Sequence, residues 1–277
     1  MMPDPGGRGL IASRRHPLII RFRKVSARPQ AARRERLILL DGLHLLEEAL
    51  ASSQVPEACL HSRALRRTQA GRTLLARLQD LSWPLREATE EVLASCAPTR
   101  SPQGILALMR RPDPAPLATD PLALLLDGVQ DPGNVGMLAR TAWAFGATAL
   151  LTTASAADPY HTRALRASSG ALLHLRLTPG VAPADLAPWI DEAQATLVGL
   201  TPRGGTAFDA LELRSGPLVV VMGSEGKGLD PAVAALCAQR CTVPMVKGCD
   251  SIGVAAAGSI ALYLASRRRL LAAEGQA

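Results

Sequence analysis

The sequence predicts an α/β protein in which a small α/β domain precedes a larger domain built on a parallel sheet. In the C-terminal half, apolar runs of five to seven residues alternate with helical patterns, which is typical of strands buried on both faces. A proline-rich segment without apolar periodicity separates that half from the rest. We therefore predict domains over 30–111 and 122–277, joined by a linker over 112–121.

Short apolar patterns predict the N-terminal elements. Residues 1–29, which begin rich in Pro, Gly and Arg, are predicted to form a basic, flexible leader. The strands predicted after it are RLILL, EACLHS and GILALMR, and TLLARLQDL is predicted to be a helix. LHLLEEALAS is predicted to be an amphipathic helix that buries Leu43, Leu46 and Leu50.

The strands predicted for the C-terminal domain are LALLL, ATALLTT, ATLVGL, PLVVVM and CTVPM. Helical patterns separate them, so the domain is expected to be a sheet with helices on both faces.

Charge and cysteine content narrow the class of protein. The formal net charge is +7, mostly from arginine, and this suits an anionic partner such as RNA; a coding bias toward arginine and alanine explains it equally well. The five cysteines form no C-x-x-C pair, so no zinc site is expected. Their odd number and the absence of a signal-peptide core favour the cytoplasm. No apolar run is long enough for a membrane span.

Three strand-loop-helix junctions carry the candidate site. In the first, LLLDGVQDPGNVGMLARTAWAFGA, a buried strand ends at Asp127. Asn134 is predicted to cap a helix that contains Arg140 and stops at Gly146. Ligands of open parallel sheets bind at the carboxyl edge of the strands, where this helix begins.

The second junction, PLVVVMGSEGKGLD, has three glycines in six residues, which indicates tight backbone geometry or close approach to a ligand. Asp230 and Pro231 are predicted to start the next helix. The loop matches neither the G-x-x-x-x-G-K-[ST] nor the G-x-G-x-x-G pattern, which disfavours an ATPase or a dehydrogenase.

The third junction is CTVPMVKGCDSIGVAAAGSIALYLASRRR, in which Asp250 or Ser251 is predicted to cap a helix. The small residues at 254–261 allow close packing, either within the chain or against a second subunit.

In this order, the junctions resemble the three motifs of the SpoU (TrmH) branch of the SPOUT methyltransferases. The matching patterns are D-x-x-x-D-P-G-N-x-G-x-x-x-R-T-A-x-x-F-G-A, G-S-E-G-x-G-L, and V-P-M with a later S-I-x-V-A. Upstream, RERLILLDGLHLLEEAL and PQGILALM are similar to a small ribosomal-protein-like substrate-binding domain found in members that modify ribosomal RNA. The resemblance covers about residues 30–270.

The resemblance implies a C-terminal SPOUT domain with a trefoil knot, a homodimer, and methylation of a ribose 2′-hydroxyl in RNA, with ribosomal RNA favoured. The alternatives are a tRNA methyltransferase and a weakly catalytic RNA-binding or ribosome-assembly factor of the same fold. No metal is expected. The resemblance assigns S-adenosylmethionine binding to Thr201, Gly223, Glu225, Gly226, Val243, Met245, Ser251 and Ile252.

The expected catalytic residues are Arg140, Asn134, Glu225 and Ser251. Relatives are often said to use the arginine as a base; because arginine keeps its proton, we expect Arg140 instead to grip a phosphate and orient the hydroxyl. The chain departs from the family at Gly253, where relatives usually have asparagine, and this departure favours weak catalysis or a reshaped pocket.

Overall fold

A computed structural model describes residues 9–52, 54–117, 119, 122–211 and 216–274. The chain divides into two compact units, one formed by residues 1–112 with 160–162 and the other by 113–159 with 163–277. The first eight residues of the expected leader, and residues 118, 120 and 121 of the expected linker, lie outside the described residues.

Two helices open the N-terminal unit and correct the prediction of a flexible leader to residue 29. Helix α1 (Pro17–Ala27) has proline at its first position, and His16 accepts a hydrogen bond from the main-chain N–H of Leu18. Its residues Ile19, Phe22 and Val25 are buried in the core of the unit. Their spacing on one helix face explains why the segment folds although it is basic.

The remaining N-terminal elements form a four-stranded sheet with three helices. The strands lie in the order β1-β4-β2-β3, with β4 antiparallel to β1 and β2, and β2 parallel to β3. They are β1 (Leu37–Asp41), β2 (Pro56–His61), β3 (Leu85–Glu87) and β4 (Ile105–Arg110), and the helices after α2 (Pro29–Glu35) are α3 (Leu43–Ala51), α4 (Gln69–Asp80) and α5 (Glu90–Ala94).

Helix α3 is rotated from the predicted orientation. It buries Leu45, Leu46 and Ala49, whereas Leu43 and Leu50 are only partly buried. Gly42 precedes the helix with a φ of 108°, a conformation that favours glycine, and this turn determines which helix face meets the sheet.

The C-terminal unit is a seven-stranded sheet in the order β7-β6-β5-β10-β8-β11-β9, and every pairing in it is parallel. This confirms the predicted fold class. The strands are β5 (Leu122–Leu126), β6 (Ala149–Thr153), β7 (Arg176–Val181), β8 (Thr196–Leu200), β9 (Thr206–Ala207), β10 (Leu218–Met222) and β11 (Gln239–Thr242). The helices are α6 (Pro132–Ala144), α7 (Thr162–Ala167), α8 (Pro183–Ala193), α9 (Pro231–Leu236) and α10 (Val254–Glu274).

Three strands differ from the prediction. Strands β7 and β9 were not predicted: β7 lies at the edge of the sheet and buries only Leu177 and Val181, so it has no continuous apolar run, and β9 has two residues. Strand β11 ends at Thr242, before the predicted VPM segment, and it is inserted between β8 and β9. Pro244 lacks the N–H that a strand in this position must donate.

Helices α6 and α10 pack closely together beside the sheet. A Cβ atom on Gly258 of α10 would lie 2.3 Å from a methyl carbon of Leu138 in α6, so the small residue permits this contact. The hydroxyls of Thr141 and Ser259 meet at 3.0 Å. The small residue at 258 therefore serves packing within the chain. Among the described helices, none combines the length and the apolar character needed to cross a membrane.

Candidate functional site

Two adjoining cavities open at the carboxyl edge of the C-terminal sheet. The first has a volume of about 310 Å³ and is formed by the loops after β8, β10 and β11 with the start of α10. Seven of the eight residues predicted for the cofactor line it, and Gly226 does not: the seven are Thr201, Gly223, Glu225, Val243, Met245, Ser251 and Ile252.

The lining of the first cavity is mainly apolar with a few hydroxyl groups. Gly253, which the sequence marked as a departure from the family, also lines it. Sequence reasoning missed the other lining residues, namely Leu200, Pro202, Met222, Ser224, Gly228, Thr242, Val254 and Ala257. The apolar strand ends were a signal for some of these positions, since the last residue of a buried parallel strand reaches the ligand edge. The cavity can hold a flat apolar group while main-chain groups provide hydrogen bonds.

The second cavity, of about 660 Å³, lies beside the start of α6. It shares Ser224, Glu225, Gly228 and Val254 with the first cavity. Its own lining is polar and includes Asp127, Asp131, Asn134, Ser155, Gly226, Lys227 and Asp230. A ligand in the first cavity and a polar ligand in the second would meet at the shared wall.

Asn134 and Glu225 meet at this wall. The side-chain amide of Asn134 donates a hydrogen bond of 3.0 Å to the Glu225 carboxylate. The structure thus places two of the expected catalytic residues in direct contact, although they are 91 positions apart.

Asp131, not Asn134, caps helix α6. The carboxylate of Asp131 accepts a hydrogen bond of 3.1 Å from the main-chain N–H of Asn134. This bond is the main reason that the pKa of Asp131 is lowered, and the N–H of Gly133 and the charge of Arg163 lower it further. The predicted cap is therefore wrong by three positions. Because Asp131 caps the helix, the Asn134 side chain can face Glu225 instead.

A buried carboxylate joins the strand ends. Asp127 is 3% exposed, and it accepts hydrogen bonds from the Thr153 hydroxyl at 3.1 Å and from the main-chain N–H of Asp230 at 2.6 Å. The Asp230 side chain in turn caps α9, as predicted. These contacts hold the loop that carries Glu225 against the end of β5. The sequence marked Asp127 only as a strand end.

The Gly223–Gly228 loop is closed by backbone contacts. Ser224 and Gly228 exchange two main-chain hydrogen bonds of 2.9 Å. A Cβ atom on Gly223 would lie 2.4 Å from the carbonyl carbon of Gly228, so no side chain fits there. Gly228 has a φ of 71°. The predicted tight backbone geometry is confirmed.

Arg140 lies apart from the other expected catalytic residues. It is exposed on α6, lines neither cavity, and its side chain makes no hydrogen bond or ion pair within the described part of the chain. One chain by itself therefore does not bring Arg140 into the site, although its spacing from Asn134 had suggested a common cluster.

The third loop enters α10 through Gly253. The helix begins at Val254, so neither Asp250 nor Ser251 is adjacent to its first residue, and Asp250 instead pairs with Arg203. Gly253 has a φ of 77°, lines the first cavity, and has no atom within 4 Å of the position of a Cβ. Space for a side chain is therefore open at this wall.

Thiolate and metal chemistry are not indicated near these loops. Burial raises the pKa of Cys237 to about 11 and that of Cys241 to about 12, so both thiols stay protonated at neutral pH. Within the described residues, no group of three or more His, Cys, Asp or Glu side chains could hold a metal ion.

Comparison with known proteins gives two family matches. The model of the SpoU rRNA Methylase family matches residues 121–263, and that of the MRM3-like substrate binding domain matches residues 17–107. The chain is 31% identical to an uncharacterized tRNA/rRNA methyltransferase of Synechocystis, over 94% of both chains. It is 30% identical to the Bacillus subtilis 23S rRNA (guanosine(2553)-2′-O)-methyltransferase RlmP, over 81% of this chain and 86% of that protein. A solved RNA 2′-O ribose methyltransferase is 27% identical with a TM-score of 0.79, covering 95% of this chain and all of that one (100%).

We expect Gly223→Ala to destabilise the protein, because its methyl group would overlap the backbone of Gly228. The cost should be about 1–3 kcal/mol, as for other overpacked sites. Gly226→Ala is the matched control, since no atom lies within 4 Å of its Cβ position. Thermal unfolding of both variants provides the measurement. Equal melting temperatures would show that the loop adapts without cost.

Proposed function

We propose that this chain, which belongs to the SpoU rRNA Methylase family, transfers a methyl group from S-adenosylmethionine to the 2′-hydroxyl of a ribose in ribosomal RNA. The observation that carries the proposal is the pair of adjoining cavities, one with mainly apolar walls that include three glycines, the other with more polar side chains. Two features favour ribosomal RNA: the 23S rRNA activity in the name of RlmP and the substrate-binding domain match. The net charge of +7 suits any RNA partner.

The first cavity fits S-adenosylmethionine. Its volume of about 310 Å³ is in the range of small-molecule sites, and its apolar wall suits an adenine ring. The absence of a side chain at Gly223 lets a ligand approach the main chain. Glu225 lines the wall shared with the second cavity, where its carboxylate would stabilise the positively charged sulfonium of the bound cofactor.

The second cavity receives the target ribose. The cofactor supplies an activated methyl group and a good leaving group, so the protein's task is to align the ribose oxygen with the methyl carbon. Asn134, held by Glu225 at 3.0 Å, donates or accepts hydrogen bonds at this position. Ser251 lines the first cavity and helps to position the cofactor. The reaction moves the hydroxyl proton to phosphate or water.

Arg140 grips a phosphate of the target and orients the 2′-hydroxyl. A guanidinium keeps its proton under nearly all conditions, so it acts as a fixed positive charge and a hydrogen-bond donor. Its exposure and its lack of a partner in the described chain leave it available for RNA.

A homodimer brings Arg140 to the site of the second copy. Four large apolar side chains are exposed on the two packed helices α6 and α10, and we assign three of them to this contact: Met137 is 52%, Ile260 38% and Tyr263 47% exposed. A second copy would cover this surface and place its own arginine beside the cavities. We also propose that the C-terminal domain contains a trefoil knot and that the protein is located in the cytoplasm.

We expect light scattering to give twice the mass of one chain at micromolar concentration, because the exposed surface of α6 and α10 should be buried between copies. A monomer that still methylates RNA would contradict the shared site.

Labelled methyl transfer to total RNA, followed by mapping of the modified ribose, tests the function directly. Modification of ribosomal RNA supports the proposal, and modification of tRNA alone supports the second candidate substrate. A chain that binds both S-adenosylmethionine and RNA but transfers no methyl group would be an RNA-binding factor. Gly253, which leaves its part of the cavity wall without a side chain, is the observation that favours this last candidate.

We expect Arg140→Ala to lower single-turnover methyl transfer by at least about a hundredfold, the usual scale for removing one positioned charged group. Cofactor affinity measured by calorimetry should not change, since Arg140 does not line the first cavity. Arg240→Ala, at another exposed position, is the matched control. Full activity of Arg140→Ala would remove this residue from the mechanism.

We expect Gly253→Asn to raise single-turnover transfer. The position has open space and a φ of 77°, which asparagine tolerates better than most residues, and its amide would face the cavity. Gly253→Ala controls for the backbone, because it has the same strain without the amide. Slower transfer by the asparagine variant, with an intact melting temperature, would show that glycine is adapted to this cavity.

A further inference from the structure

An exposed tryptophan of the C-terminal unit is held flat against a histidine. The rings of Trp143 and His174 stack with their centroids 4.6 Å apart and their planes at 5°. Trp143 lies in the last turn of α6 and is 42% exposed, and His174 follows the short 3-10 helix Ala171–Leu173. Neither residue lines either cavity. The proposed methyl-transfer reaction therefore assigns no role to Trp143 or His174.

The segment of the chain that carries the pair is basic. Between Pro132 and Arg176, Asp158 is the only acidic residue of the sequence. Arg140 precedes Trp143 by three residues, so the two side chains lie on neighbouring parts of the same helix surface. Arg166 is exposed on α7, and α7 packs against α6: a Cβ atom on Gly136 would lie 2.7 Å from that of Ala167.

Trp143 faces away from the surface assigned to a second copy. Met137 precedes it by six residues, which corresponds to about 120° around the helix axis. Met137 is on the side of Thr141, whose hydroxyl meets Ser259 of α10. Trp143 is instead on the side of His174. A contact between copies through α6 and α10 therefore does not account for the exposed indole.

We propose that the exposed face of Trp143 is a stacking platform for an unpaired base of the RNA substrate next to the target nucleotide, with the guanidinium groups of Arg140 and Arg166 on the adjacent phosphates. The inference rests on the proposed RNA substrate and names a further contact with it. Every base has a flat aromatic face, so a tryptophan ring binds bases with little dependence on sequence. His174 fixes the plane of the indole before RNA arrives, which reduces the entropy lost on binding.

The test measures the affinity of the protein for two fluorescent 12-nucleotide RNA strands at low salt. One strand is polyuridine, and the other has the same backbone without bases. The full-length protein should bind the base-containing strand about tenfold more tightly, as expected for one stacked base. Trp143→Leu, which keeps an apolar side chain, should lose this difference while still binding both strands through their phosphates. Trp143→Phe should retain it within about threefold. Trp83→Phe, at a site that is 7% exposed, is the matched control and should behave as the wild type.

Two results would overturn the platform. The first is that Trp143→Leu prefers the base-containing strand by the same factor as the wild type does. The other is a change in the mass of the assembly in Trp143→Leu, which would assign the indole to a contact between copies. The proposed function is tested by a different experiment, the methyl-transfer assay of the wild-type protein with total RNA. That assay uses neither the Trp143 variants nor these strands, so the two proposals can fail independently.

Discussion

The geometry of the candidate site depends on the buried carboxylate of Asp127. A carboxyl group that is only 3% exposed is stable when hydrogen bonds from the protein replace its lost water. Here the replacements come from Thr153 at the end of β6 and from the main chain of Asp230, beyond the loop that follows β10. The need to satisfy one carboxylate thus connects three neighbouring strands at the edge where both cavities open. It fixes one end of the loop that carries Glu225, and the close approach of Gly223 to Gly228 fixes the other.

In the proposed reaction, the two cavities would divide binding and chemistry between different kinds of groups. The first has apolar side chains and three glycines in its walls, so its shape depends on where glycines allow the backbone to approach. The second has more charged and amide side chains, with Asn134 and Glu225 at the shared wall. On this proposal, a single side-chain change at the second cavity would alter transfer and leave cofactor binding intact, whereas a glycine replacement in the first would affect the loop itself.

Much of the fold was predictable because its signals are local. Strands β5 and β10 are continuous apolar runs, and Asp230 followed by Pro231 marks a helix start. The signal for β7 was lost because this strand lies at the sheet edge and has no apolar run. Helix α1 had a local signal, the spacing of Ile19, Phe22 and Val25, which its basic residues obscured. The first cavity was predictable as a set of loops, since strand ends of a parallel sheet share an edge. The contact of Asn134 with Glu225 was not, because it depends on a cap that is three residues earlier than expected.

The insertion of β11 between β8 and β9 has a consequence for the order of folding. Strands β8 and β9 are consecutive in the chain, yet they become neighbours of β11 only after the segment up to Thr242 has been synthesised. Pairings of such large sequence separation form late, because the entropy of closing long loops must be overcome first. The first cavity needs the loop after β11 and the start of α10, so it is among the last features to form. A nascent chain therefore lacks the complete first cavity until the residues up to Ala257 have emerged from the ribosome.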